Sequence, residues 1–195
     1  GKTWAGRYHS NSEVLLHKTT GEASNNVELA KIYKSQLSLP KNPAFEVEGE
    51  FGEHNAIVNT CNGIEKFSSL KDFIFIFSKG KDVKKSVSMA MKYLSPTGKI
   101  VTLQNILTID DVLSVAQPNQ VLGLIIGWTT TRDSDMSFTV LSKGINIIGS
   151  FCNDMERPIL DLKEILSCIT DTYAYKNFIG IAISRLIINS CISSL

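Results

Sequence analysis

The segment Asp72-Phe-Ile-Phe-Ile-Phe-Ser78 decides the fold class, because five apolar residues run through it without a polar break. A strand that helices cover on both faces has this composition, whereas a strand with one wet face alternates apolar and polar residues. The segment therefore predicts a buried strand in a mostly parallel sheet.

The residues that follow this strand predict a helix and a second buried strand. Residues 82–94 place apolar side chains on one helical face and lysines on another. Ser95-Pro-Thr-Gly98 ends that helix, and Lys99-Ile-Val-Thr-Leu103 is again almost wholly apolar. Apolar strands that alternate with helices indicate an α/β fold with a doubly wound sheet.

Similar patterns predict the remaining elements. Further strands are expected at residues 13–17, 45–51, 56–58, 121–127, 137–141 and 145–148, with an antiparallel extension late in the sheet. Apolar spacing predicts helices at residues 27–36 and 109–116. In Phe45-Glu-Val-Glu-Gly-Glu-Phe51 the strict alternation predicts one buried face and one wet, acidic face.

The pattern becomes wholly helical after Asn153, with helices predicted at residues 155–169 and 173–195. We therefore predict a sheet domain at residues 1–153 and the start of an all-helical domain at residues 154–195. No strand is predicted before residue 13, so the doubly wound sheet is expected to lack its first strand.

Composition argues against several classes of protein. Twenty basic and nineteen acidic residues give a net charge of +1, without the basic excess typical of nucleic-acid binders. The apolar segment 178–195 holds Arg185 and Asn189, so it predicts a buried helix and no membrane span. Four scattered cysteines and three scattered histidines predict no metal site and a reducing, cytoplasmic location.

Candidate ligand-binding residues come from the rule that open parallel sheets bind ligands beyond the carboxyl ends of their strands. Lys18 and Lys79 follow two predicted strands, and a lysine there can hold a phosphate as a point charge. Asn105 follows a third strand and can bond a ribose hydroxyl or a substrate oxygen. The alternative is that the lysines are only solvated and that Asn105 caps the next helix.

Taken together, these segments resemble ketopantoate reductases. The resemblance rests on Asp72-Phe-Ile-Phe-Ile-Phe-Ser-Lys79, a lysine-rich helix, and Tyr93-Leu-Ser-Pro-Thr-Gly-Lys-Ile-Val-Thr-Leu-Gln-Asn105. Thr129-Thr-Thr-Arg-Asp133 and Gly144-Ile-Asn-Ile-Ile-Gly149 resemble the closing strands of that family. Ser184-Arg-Leu-Ile-Ile-Asn-Ser-Cys-Ile192 resembles the first helix of its C-terminal domain.

The resemblance implies an NADPH-dependent reduction of ketopantoate to pantoate, on the route to pantothenate and coenzyme A. The first 153 residues are then the NADP-binding, Rossmann-like domain. By the same resemblance, the cofactor would contact Lys79, Asn105, Lys18 and Thr131. The keto acid substrate would contact Asn105, Asn189 and Ser193, and Arg185 stands where the family has its catalytic lysine.

The chain also departs from the family pattern. It contains no G-x-G-x-x-G fingerprint, and Ile106 replaces a glycine. Arg185 is a poor proton donor, because a guanidinium stays protonated near neutral pH. The chain thus looks incomplete at both ends. Three hypotheses remain: a reductase, a catalytically inactive remnant or divergent paralogue, and an α/β interaction domain. The helical segment after residue 153 suggests a homodimer contact.

Overall fold

The structure is a computed structural model of the chain. It describes residues 13–18, 26–31, 43–57, 59–61, 64, 69–78, 80–103, 106–152 and 157–193. Within these ranges the strands are β1 (Glu13–Lys18), β2 (Asn26–Lys31), β3 (Ala44–Gly49), β4 (His54–Ile57), β5 (Asn59–Cys61), β6 (Lys71–Ile76), β7 (Leu94–Thr102), β8 (Val121–Ile126), β9 (Thr129–Arg132), β10 (Ser137–Ser142), β11 (Asn146–Ser150) and β12 (Thr172–Tyr175). The α-helices are α1 (Gly80–Ala90), α2 (Ile109–Leu113), α3 (Arg157–Ser167) and α4 (Phe178–Ser193).

The main sheet has the strand order β12-β11-β8-β7-β6-β1-β2-β5. Its centre is the parallel run β6, β7 and β8, which contains the two strands predicted to be buried. β11 pairs antiparallel with β8, so the late antiparallel extension is confirmed. On the other side β1 lies antiparallel to β6 and pairs with β2.

Helices cover both faces of the parallel centre, and β6 shows why. Its residues Ile74 and Ile76 belong to the apolar cluster that includes Val83 and Val87 of α1. Phe73 and Phe75 point to the opposite face, into a second cluster that includes residues of α3. Each face of this strand is thus removed from water, which is the reason for its unbroken apolar sequence. The predicted α/β fold with helices on both faces is confirmed.

The strands β4-β3-β10-β9 form a second, four-stranded sheet. On β3 the side chains of Phe45 and Val47 are half-buried, whereas Glu46 and Glu48 are exposed. The ring of Phe45 packs against Phe138 of β10 with centroids 6.2 Å apart. The predicted acidic, wet face of this segment is therefore confirmed.

Two predictions of secondary structure are wrong. Residues 26–31 form the strand β2 instead of the start of a helix, and residues 32–36 lie outside the described ranges. A short apolar run is compatible with the periodicity of a helix and with that of a strand. Here the pairing with β1 stabilises the strand. After Asn153 the chain is not wholly helical, because β12 returns to the main sheet and pairs parallel with β11.

Among the described residues, no helix is both long enough and apolar enough to cross a membrane.

A buried hydrogen bond ties β11 to the segment that follows β8. The indole N–H of Trp128, which is 2% exposed, donates to Oδ1 of Asn146 over 3.1 Å. Asn146 is also 2% exposed, and its amide nitrogen lies 3.5 Å from the hydroxyl of Thr172 on β12. One polar side chain thus links three neighbouring segments of the main sheet.

Replacing Asn146 with alanine is expected to lower the free energy of unfolding by about 1–3 kcal/mol, because the buried indole N–H of Trp128 loses its acceptor. Urea denaturation at constant m-value measures the change. The control is Asn55→Ala on the exposed side of β4, for which we expect a change within about 0.5 kcal/mol. Equal losses in the two variants would contradict the assigned role of Asn146.

Candidate functional site

The parallel strands β6, β7 and β8 end along one side of the main sheet, which we call the carboxyl edge. The turns after β6 and β7 meet there. A Cβ atom added to Gly80, the first residue of α1, would lie 3.3 Å from Cγ2 of Thr108. The sequence-predicted residues Lys79 and Asn105 belong to these turns but lie outside the described residues. Their neighbours show that the two turns adjoin each other.

Ile106, which replaces a family glycine in the turn after β7, is half-buried. Its side chain packs against the apolar cluster that α1 and α2 form with the sheet. Ile106 therefore extends the core.

Helix α4 crosses the main sheet and reaches the carboxyl edge. Its first residue, Phe178, packs where Gly123 of β8 and Gly149 of β11 expose the backbone of the sheet. Phe151 meets the same ring edge to face, with centroids 5.4 Å apart. Further along, α4 contacts the turn formed by Ile106–Thr108. The helix therefore brings its side chains to the same edge as the turns after β6 and β7.

Arg185 of α4 is the sequence-predicted residue whose side chain the structure places at this edge. Its Nη2 donates to the carbonyl oxygen of Ile126, the last residue of β8, over 3.0 Å. The side chain is half-buried. A cation thus stands at the carboxyl end of a central strand, which is where open α/β sheets bind ligands.

Asn189 and Ser193 follow Arg185 at intervals of four residues, so the three residues share one side of α4. Asn189 is exposed, and its amide is accessible to a ligand from solvent. The backbone of Ser193 is helical, while its side chain lies outside what the structure describes. The predicted grouping of Arg185 with these two residues thus agrees with the helix geometry.

Lys18 does not lie at the carboxyl edge. The register pairs Val14 with Ile76 and His17 with Phe73, so β1 runs opposite to β6. The carboxyl end of β1 therefore lies at the amino end of β6, on the far side of the sheet from Arg185. The prediction for Lys18 assumed a strand parallel to β6, and the observed direction removes that basis.

Thr131 lies in β9 of the second sheet, where it is exposed and pairs with Thr139 of β10. The hydroxyl of Thr139 donates to Asp133 over 2.7 Å and to Glu48 over 3.3 Å. Two carboxylates are thus close to the residue paired with Thr131. The structure does not bring Thr131 into contact with the residues at the carboxyl edge that it describes.

No group of three or more His, Cys, Asp or Glu side chains in the described part of the chain is arranged to hold a metal ion. Among the described residues, the donor groups near the carboxyl edge include the guanidinium of Arg185 and, further along α4, the amide of Asn189. Such groups bind anions and carbonyl or hydroxyl oxygens.

The sequence of residues 16–153, more than half of the chain, matches the family "Ketopantoate reductase PanE/ApbA". The chain belongs to the ketopantoate reductase family. No curated protein matches it significantly.

Solved structures of the family and of related dehydrogenases share the fold. A 2-dehydropantoate 2-reductase from Geobacter metallireducens GS-15 has a TM-score of 0.64 at 14% identity, over 75% of this chain and 50% of that one. A D-mandelate dehydrogenase in complex with NADH has a TM-score of 0.55 at 12% identity, over 71% and 43%. A dimeric ketopantoate reductase from Staphylococcus aureus has a TM-score of 0.56 at 11% identity, over 76% and 53%. The chain therefore spans about half the length of these relatives.

The described residues of this ketopantoate reductase homologue fit only part of a dinucleotide. In doubly wound sheets a parallel strand beside β6 carries the glycine turn whose N–H groups hold the pyrophosphate. Here the antiparallel β1 occupies that place, and the sequence holds no G-x-G-x-x-G. The described residues therefore provide no pyrophosphate cradle.

Sequence reasoning missed the residues that hold α4 at the edge. Gly123 and Gly149 lie inside apolar strands, and an isolated glycine in a strand indicates a close approach of another group. That signal was available from the sequence. Their partner Phe178 lies 55 residues from Gly123 and 29 residues from Gly149 in the sequence, so it could not be identified without the fold.

Proposed function

We propose that this chain carries the ligand-binding edge of an NADPH-dependent 2-dehydropantoate 2-reductase. The single observation that supports the proposal best is the position of Arg185, whose guanidinium lies at the carboxyl end of β8. By the family resemblance, Arg185 takes the place of the catalytic lysine. In this proposal, the first 153 residues form the nucleotide-binding domain and α4 begins the helical domain. The cofactor supplies a hydride to the keto carbon of the substrate.

The chain's own residues have distinct roles in this proposal. Lys79 and Asn105 bind the cofactor beyond β6 and β7, and Asn105 and Asn189 bind the keto acid. The guanidinium of Arg185 stabilises negative charge on the carbonyl oxygen by electrostatic attraction. It does not supply the proton, because arginine does not release one near neutral pH.

The proposal also covers partners and location. A second copy of the chain would contact the exposed isoleucines of α4, as one dimeric relative among the solved structures suggests for the family. A cytoplasmic location is supported by the exposed, unpaired thiols of Cys152, Cys168 and Cys191, which suit a reducing compartment.

A second candidate function is a divergent member that binds the ligands without turnover. The contact of Arg185 with Ile126 favours this second candidate, since the backbone holds the guanidinium, which does not release a proton near neutral pH. A titration with NADPH, followed by nicotinamide fluorescence, tests both candidates, and ketopantoate-dependent oxidation separates them.

We expect saturable but weak NADPH binding, because the pyrophosphate loses several charge-assisted hydrogen bonds worth about 1.5–3 kcal/mol each. We also expect turnover far below the ordinary range of about 1–1000 per second. NADP⁺ is the competing control for specific binding. Absence of saturable binding would overturn both candidates, and ketopantoate-dependent turnover above background would overturn the second.

A further inference from the structure

The carbonyl group of Ile126 lies outside the hydrogen-bond ladder that joins β8 to β11. Ile126 is paired with Asn146 of β11, but the N–H of Asn146 donates to Asp171 on its other side. The Ile126–Asn146 pair is therefore a non-hydrogen-bonded pair, in which both backbones point away from each other. The carbonyl of Ile126 consequently faces the β7 side of the sheet.

Among the described residues, the pairing of β7 with β8 ends at Thr102 and Gly123, three residues before Ile126. A backbone carbonyl at the end of a buried strand needs a donor, and Arg185 supplies one over 3.0 Å. The guanidinium thus bonds the end of β8 from outside the sheet.

We infer that Arg185 is a positioning residue that fastens α4 to the carboxyl edge through the carbonyl of Ile126. The inference rests on the proposed function only in naming Asn189 as the group that is held in place. A guanidinium suits this contact, because it is permanently charged and has several donors in a rigid plane. At this position, then, a structural contact takes the place of the proton transfer that the family resemblance implies.

Phe178 and Arg185 both hold α4 to the main sheet. Phe178 holds the first turn, and Arg185 lies seven residues later, about 10 Å along the axis. Beyond it, Ile187 and Ile188 are 58% and 57% exposed, and Asn189 is exposed as well. The direction of this second half of the helix therefore depends on the contact at Arg185.

Hydrogen exchange of the whole, ligand-free chain tests the inference. In Arg185→Met, which keeps an apolar stem but has no donor, we expect the amides of residues 186–190 to exchange about tenfold faster. Arg185→Lys keeps a cationic donor and is expected to restore most of the protection. Ser184→Ala, an exposed neighbour on the same helix, is the matched control and should leave exchange unchanged.

Retained protection of β6, β7 and β8 shows that each variant is folded. Equal exchange in Arg185→Met and the parent chain would overturn the inference, as would a failure of Arg185→Lys to restore protection. Titrating the same proteins with NADPH separates this result from the proposed function. If the parent binds no NADPH, the proposed function fails while the exchange result still decides the role of Arg185.

Discussion

Gly123→Ala is expected to displace α4 from the main sheet, because the added methyl group would overlap the ring of Phe178. Phe178 is 4% exposed and contacts the backbone of β8 directly, so neither side can give way without moving the helix. Overpacking of this kind costs about 1–3 kcal/mol of unfolding free energy, and more where backbone is involved. Urea denaturation measures the loss, and hydrogen exchange along α4 locates it.

A double-mutant cycle tests whether the ring is the cause. Phe178→Ala alone is expected to cost about 3–5 kcal/mol, since it removes a buried aromatic side chain. In the combined Gly123→Ala and Phe178→Ala variant the methyl group has room, so the loss should fall short of the sum of the single losses by about 1–3 kcal/mol. Ile183→Ala, on the exposed side of α4, is the control. Additive losses would show that the methyl group and the ring do not meet.

The centre of the fold could be predicted from local sequence. The unbroken apolar run of β6 indicates burial on both faces, and the alternation of apolar and polar residues in β3 indicates one solvent-exposed face. These patterns are local because the burial of each position favours an apolar or a polar side chain at that position. The pairing of β1 with β6 could not be predicted in this way. Strand direction depends on which strand fills the neighbouring place in the sheet, and a six-residue strand has no sequence signal for its direction.

As with the fold, only part of the candidate site could be predicted from the sequence. The rule for carboxyl ends selected Lys18, Lys79 and Asn105, since it needs only the order of strands and helices, whereas Arg185 was named by the family resemblance. The same rule was wrong to place Lys18 at the carboxyl edge, because it assumes that every strand runs parallel to β6. The contact of Arg185 with Ile126 could not be predicted either, as it depends on how α4 packs against the end of β8.

Arg185→Lys is expected to raise ketopantoate-dependent oxidation of NADPH by about 100-fold over the parent chain, if the proposed function is correct. A lysine can donate its proton to the alkoxide that forms on hydride transfer, and general acid catalysis contributes about 10²–10⁴-fold. The same ammonium group can still donate to the carbonyl of Ile126, so α4 is expected to keep its place. Initial rates at saturating NADPH measure the change.

The pH dependence of the rate identifies the proton donor. A lysine donates only while it is protonated, so the gain in Arg185→Lys should be present at low pH and lost as the pH rises through the pKa of the new ammonium group. The parent chain, with a guanidinium at this position, should show no such fall. Arg185→Met is the matched control, because it lacks both the charge and the proton. Equal rates in the lysine and methionine variants would show that position 185 takes no part in proton transfer, and the chain would then be a ligand-binding member of its family.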